Sequence, residues 1–139
     1  VADDPHLRVT AAVCEPGVAK GRFKCRQFDH VLVDTGATHT TVAKADALAV
    51  GIDPARGQSI KVKLGDGRLV PGRLVRASVC LSSARSKDDT VCVDVPVVVT
   101  GGAERPLVGS STLVALGAQI DIAKRSIVVR GQRGVMRSR

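Results

Sequence analysis

Three observations predict an all-β single domain. Short valine-rich runs are separated by Gly and Pro, 139 residues with 44% hydrophobic content can bury one core but hardly two, and aromatic content is only 1%. With so few aromatics, the core must be packed from Val, Leu, Ile and Ala, and stacking on nucleic-acid bases is disfavoured. No apolar stretch approaches the length of a membrane span, and the N-terminus lacks a signal-peptide pattern. The expected organisation is an N-terminal arm over residues 1–6, one folded domain over 7–130 and a basic flexible tail over 131–139.

Taken in order, Leu7 to Cys14 and Arg22 to Val33 read as strands joined through Glu15 to Gly21, whose Pro and glycines mark a turn. The second strand runs directly into Asp34-Thr35-Gly36-Ala37-Thr38-His39. Val42 to Val50 is alanine-rich and followed by Gly51, which predicts a helix and its stop. Ile60 to Val70 reads as a hairpin with Gly65-Asp66-Gly67 at its tip. Arg73 to Leu81 and Thr90 to Val99 are two β-prone runs around the polar loop 82–89, and are expected to pair.

The four cysteines form no Cys-x-x-Cys pair, and His6 and His30 stand in no metal-ligand spacing with His39, so no metal site is expected. Cys14 and Cys25 flank one turn, and Cys80 and Cys92 flank another. That symmetry allows two local disulfides, with four reduced, half-buried cysteines as the other reading. Paired cysteines point to an exported or periplasmic protein, unpaired ones to the cytoplasm. The net charge of +8 includes Arg130, Arg133, Arg137 and Arg139. It can attract anions generally, yet no nucleic-acid motif accompanies it, so no specific nucleic-acid partner is assigned.

The chemistry centres on Asp34. Val31, Leu32 and Val33 favour a buried strand, and an acid delivered by a strand end is a way to build a buried carboxylate. Gly36 permits backbone conformations that other residues resist, while Thr35 and Thr38 supply hydroxyls. Peptide hydrolysis by paired acids needs one carboxylate as general base on a water and a second as general acid toward the carbonyl oxygen. Asp94 and Asp121 lie in strand-like runs without a following Thr-Gly. The second acid is therefore expected from another copy of the chain.

An apolar strand followed by Asp-Thr-Gly-Ala resembles the signature of the retroviral-type aspartic proteases, the retropepsins. Pro106-Leu107-Val108-Gly109 followed by Ser110 to Gly117 resembles that family's second signature, an apolar pair, a glycine and a short helix. Gln119 to Ile122 and Ser126 to Val129 resemble the closing hairpin of its cellular and bacterial members. The resemblance covers about residues 7 to 130. It implies a retropepsin-like acid protease β-barrel with one or two short helices, closed as a two-fold homodimer and needing no cofactor.

The same resemblance implies an aspartic endopeptidase. Asp34 would be catalytic with Thr35 and Gly36, and Thr35 would hydrogen-bond across the two-fold axis. Ala37, Thr38 and His39 would contact a peptide or protein substrate beneath a flap that includes Leu64, Gly65, Asp66 and Gly67. Gly109 would have a structural role under the active site. Viral members usually pair an acid four residues beyond the catalytic Asp with an Arg after the second-signature glycine; here those positions are Thr38 and Ser110. Both partners are absent together, which leaves no unpaired charge behind and places the chain nearer the cellular or bacterial members. The alternatives are a non-catalytic retropepsin-like module for dimerisation or peptide binding, and a basic nucleic-acid-associated domain.

Overall fold

The structure is a computed structural model that describes residues 7–17, 24–63, 66–82, 90–102, 105–121 and 123–129, together with the backbone of Val135–Arg137. Strands β1 (Arg8–Cys14) and β2 (Cys25–Asp34) form an antiparallel pair. Next come β3 (Thr40–Ala43), helix α1 (Lys44–Ala49), a 3-10 turn at Pro54–Arg56, β4 (Gln58–Lys63), β5 (Leu69–Ser82) and β6 (Thr90–Thr100). The chain continues through β7 (Leu107–Gly109), α2 (Ser110–Leu116), β8 (Ala118–Asp121), β9 (Ser126–Val129) and β10 (Val135–Arg137).

The main sheet runs β1-β2-β7-β3-β6-β5-β4, and an additional β1–β5 pairing closes its first six strands into a barrel. Closure depends on β5, which pairs with β4 over Leu69–Leu74 and with β1 over Ser78–Ser82 while holding β6 along its other edge. Pro71 does not interrupt this strand. It lies just before Gly72, the first β5 residue paired to β6, so only β4 flanks it; Pro96 likewise precedes the stretch of β6 that pairs with β3. A missing N–H is tolerated where a strand has one neighbour. The second arm of the hairpin expected over Ile60 to Val70 continues without a break into Arg73 to Leu81, so β5 is one strand where the sequence predicts two.

Two apolar clusters fill the fold. Val9, Val31, Val33, Leu81 and Val108 meet Leu113 and Leu116 of α2 and Ile127 of the closing hairpin. Val42, Ala47 and Val50 meet Val75, Val79, Val97 and Val99 on the other side. A bulge in β2 sets the phase for the first cluster. Val9 pairs with Val31 but Ala11 with Phe28, so Asp29 and His30 together oppose Thr10, and His30 takes φ 57°. Thr10 Oγ1 donates to Asp29 Oδ1 at 3.3 Å, and Arg8 Nη1 donates to the His30 carbonyl at 3.3 Å. After the bulge, Val31 and Val33 are both buried and Asp34 is carried to the strand end.

Two expected elements shift. The helix begins at Lys44 rather than Val42, because fully buried Val42 pairs with Val99 as part of β3. The basic tail, expected without structure, contains β10, whose backbone pairs with β9; a three-residue strand needs only the free edge that β9 offers. The N-terminal arm and the loop 83–89 lie outside the described residues. Among the described residues, no helix is long and apolar enough to cross a membrane.

Cys14 stands opposite Cys25 across β1 and β2, and Cys80 opposite Cys92 across β5 and β6. Their sulfurs lie at bonding distance, 1.99 and 2.06 Å. Since β1 also pairs with β5, the two links bind four adjacent barrel strands into one belt. Closing loops of 11 and 12 residues stabilises by about 3 kcal/mol each through the unfolded chain. Reduction should therefore lower Tm by more than about 10 °C, as thermal unfolding with and without reductant would measure; an unchanged Tm would mean the thiols are not paired.

Candidate active site

The Asp34 loop is built where β2, β7 and β3 converge. β2 and β7 run parallel, with Val33 beside Val108 and Asp34 beside Gly109, and Thr41 of β3 pairs with Leu107 on the other side of β7. Residues 35–39 form the turn between β2 and β3. Gly36 N–H donates to Asp34 Oδ1 at 2.9 Å, and Ala37 N–H donates to the Asp34 carbonyl at 3.1 Å. The carboxylate is thereby oriented by its own loop and left half-buried.

Gly109 fixes the depth of this loop. A Cβ there would fall 2.4–2.9 Å from the backbone atoms of His39, closer than any side chain allows. The Gly109 N–H donates to Thr40 Oγ1 at 3.1 Å, and that hydroxyl lies 2.6 Å from Thr112 Oγ1 in α2. Thr40 and Thr112 are both buried, so the pair satisfies polar groups that would be costly alone. Ser110 N–H donates to the Ala37 carbonyl and Ser111 N–H to the Thr38 carbonyl, each at 2.8 Å. These two bonds tie the Asp34 loop to the start of α2.

A cleft of about 760 Å³ opens in front of Asp34. Gly36, Ala37, Thr38 and His39 line it. Thr35 is exposed and does not line it; nor do Asp66 and Gly67, while Leu64 and Gly65 lie outside the described residues. Asp66 is engaged locally, accepting from the Arg68 N–H at 3.0 Å and from Arg68 Nε at 2.6 Å. The wall is instead supplied by Ile60, Lys61, Val62 and Lys63 of β4, together with Val98, Arg105 and Leu107. Sequence reasoning missed Arg105 and Val98, which no local pattern marks, and the Thr40–Thr112 pair, whose only signal was a threonine run at a buried strand.

Other carboxylates are placed elsewhere. Asp46 pairs with Arg26 at 2.8 Å, Asp53 accepts from Ala55 N–H, and Asp121 accepts from Lys124 N–H. Asp94 sits in mid-β6, bonded to the Ser78 hydroxyl and the Gly17 N–H. Asp34 is thus the one carboxylate lining the cleft among the described residues. No group of three or more metal-binding side chains occurs among them either.

Two predictions follow from this geometry. Gly109→Ala should destabilise the fold by about 3 kcal/mol, measured by urea unfolding, because His39 main chain must move to admit the methyl. At the hairpin tip, the Arg68 N–H and guanidinium hold the Asp66 carboxyl below its ordinary value. The turn contact is therefore present above the unfolded carboxylate value and lost as pH falls through the depressed one. Carboxyl NMR titration of Arg68→Ala should show the Asp66 midpoint rising toward that of a free aspartate.

The chain superposes on the crystal structure of the retroviral protease-like domain of Ddi1 from Leishmania major with a TM-score of 0.53, covering 94% of this chain and 92% of that one at 16% identity. That likeness shows the fold to be retropepsin-like. No curated protein matches the sequence. A family described as aspartyl protease matches residues 20–121, a span that includes the β2 strand, the Asp34 loop, the hairpin of β4 and β5, and α2. The chain belongs to the aspartyl protease family.

Proposed function

We propose that the protein is a homodimeric aspartic endopeptidase in which Asp34 from each of two chains forms the catalytic pair. The observation that carries this reading is the cleft with one carboxylate, held by the Gly36 N–H and backed by Gly109, and no second acid among its described lining residues. One acid cannot serve as general base and general acid at once. A two-fold axis beside Asp34 supplies the second from an identical loop, since an isologous interface presents the same patch from both chains. One carboxylate then takes a proton from water as it attacks the scissile carbonyl, while the other donates its proton to the carbonyl oxygen. Exposed Thr35 is free to donate across the axis. The hairpin of β4 and β5 covers the cleft, and its closure would exclude water.

The second reading, a peptide-binding or dimerisation module without catalysis, draws support from the fold likeness, which extends to the fold alone. An oriented Asp34 favours the enzyme. The cysteine geometry favours an oxidising compartment for the protein.

Cleavage of a diverse peptide mixture between about pH 4 and 7 is the direct test, with Asp34→Asn expected to lose at least about a hundredfold in rate. Sharing of the site is tested by mixing. Equal amounts of wild-type and Asp34→Asn chains, re-equilibrated, should retain about a quarter of the wild-type activity if both chains contribute, and about half if each chain acts alone.

A further inference from the structure

We infer that the cleft selects acidic peptides, in which Asp or Glu side chains flank a short apolar segment. The inference rests on the reading of this cleft as a peptide-binding site and adds its substrate class. Lys61, Lys63 and Arg105 line the cleft, against Asp34 as its one carboxylate among the described residues. All three cations are exposed, and none of them is in an ion pair among those residues, whereas Arg26 and Arg68 each have an acidic partner. Their charge is therefore available to a ligand.

Spacing adds to charge. Lys61 and Lys63 are alternate residues of β4, so they share one side of the strand with a repeat of roughly 7 Å. Alternate side chains of an extended peptide have the same repeat, so acids two residues apart can meet both ammonium groups. Ile60 and Val62 stand on the other, half-buried side of β4, so the lysines border the cleft from the strand's exposed side while Ile60, Val62, Val98 and Leu107 supply apolar lining that suits aliphatic or aromatic side chains. A nucleic-acid strand would answer the charge but not this lining, and no Phe, Tyr or Trp lines the cleft among the described residues. The overall charge of +8 favours the approach of an acidic chain to the molecule.

The test uses binding to Asp34→Asn, so that the outcome does not depend on catalysis. Three labelled octapeptides with one common apolar centre and Glu, Gln or Lys flanks are titrated at about pH 6, where Glu is ionised, at low and at high salt. The Glu-flanked peptide should bind about tenfold tighter than the Gln-flanked one at low salt, and the Lys-flanked one more weakly. The gap should shrink at high salt and vanish in Lys61→Gln/Lys63→Gln/Arg105→Gln, whose folding is checked by circular dichroism and whose single variants should each narrow the gap in part. Equal binding of the Glu and Gln peptides, no binding of either, or a preference that survives neutralisation of all three cations overturns the inference. A single-stranded oligonucleotide that binds tighter than the Glu peptide overturns it in favour of nucleic acid. If the Glu preference holds while wild-type protein cuts none of the three peptides, the selectivity stands and the endopeptidase reading falls.

Discussion

The close approach of the His39 main chain to Gly109 is the constraint on which the site depends. With no side chain between them, the Asp34 loop can drop against β7, and the Thr40 hydroxyl can accept the Gly109 N–H while meeting Thr112. Two further main-chain bonds from Ser110 and Ser111 then lock the loop to α2. The set joins two stretches of chain, Ala37 to Thr40 and Gly109 to Thr112, at several points at once. The parallel β2–β7 pairing sets Asp34 beside Gly109 at this same point. An oriented carboxylate is thus a consequence of packing rather than of any one side chain near it.

The barrel separates what must stay fixed from what must yield. Both cysteine links lie in the belt β2-β1-β5-β6, and Cys25 begins the strand that Asp34 ends. A ten-residue strand puts roughly 30 Å between these points. Rigidity is therefore concentrated away from the cleft. At the other extreme, β4 is the last strand of the sheet, pairs only with β5 and alternates exposed with half-buried residues. A strand held along one edge opens at lower cost than one inside the barrel. The same strand carries the cleft's two lysines, so its position affects both access and charge.

Much of this was legible from residue order. The apolar run into Asp34-Thr35-Gly36-Ala37 marked the strand-borne acid, Gly51 marked the end of α1, and the symmetry of cysteines about two turns placed each pair opposite in register. These are local signals, in which a turn or a period is written within a dozen residues. What stayed hidden depends on distant segments meeting. The bulge at His30 is defined by its register against β1; the helix yields Val42 to β3 only because β6 lies alongside; Pro71 is harmless only because β6 pairing starts at Gly72. The cleft walls belong to the same class. Lys61 and Lys63 were visible as part of a hairpin, but nothing in their neighbourhood shows that they line one cleft with Val98, Arg105 and Leu107.

Symmetry extends the consequence of those walls. If two copies join with Asp34 at the axis, Lys61, Lys63 and Arg105 occur on both sides of the scissile bond, because an isologous assembly repeats each surface. A bound peptide has direction, and the pair of walls does not. The same charge preference would thus act on the residues before and after the cut, and an acid on one flank would engage only half of the available cations. Long-range attraction then adds over both flanks while the apolar lining reads only the centre. Such a site discriminates by the distribution of charge along a segment more than by the identity of any single residue in it.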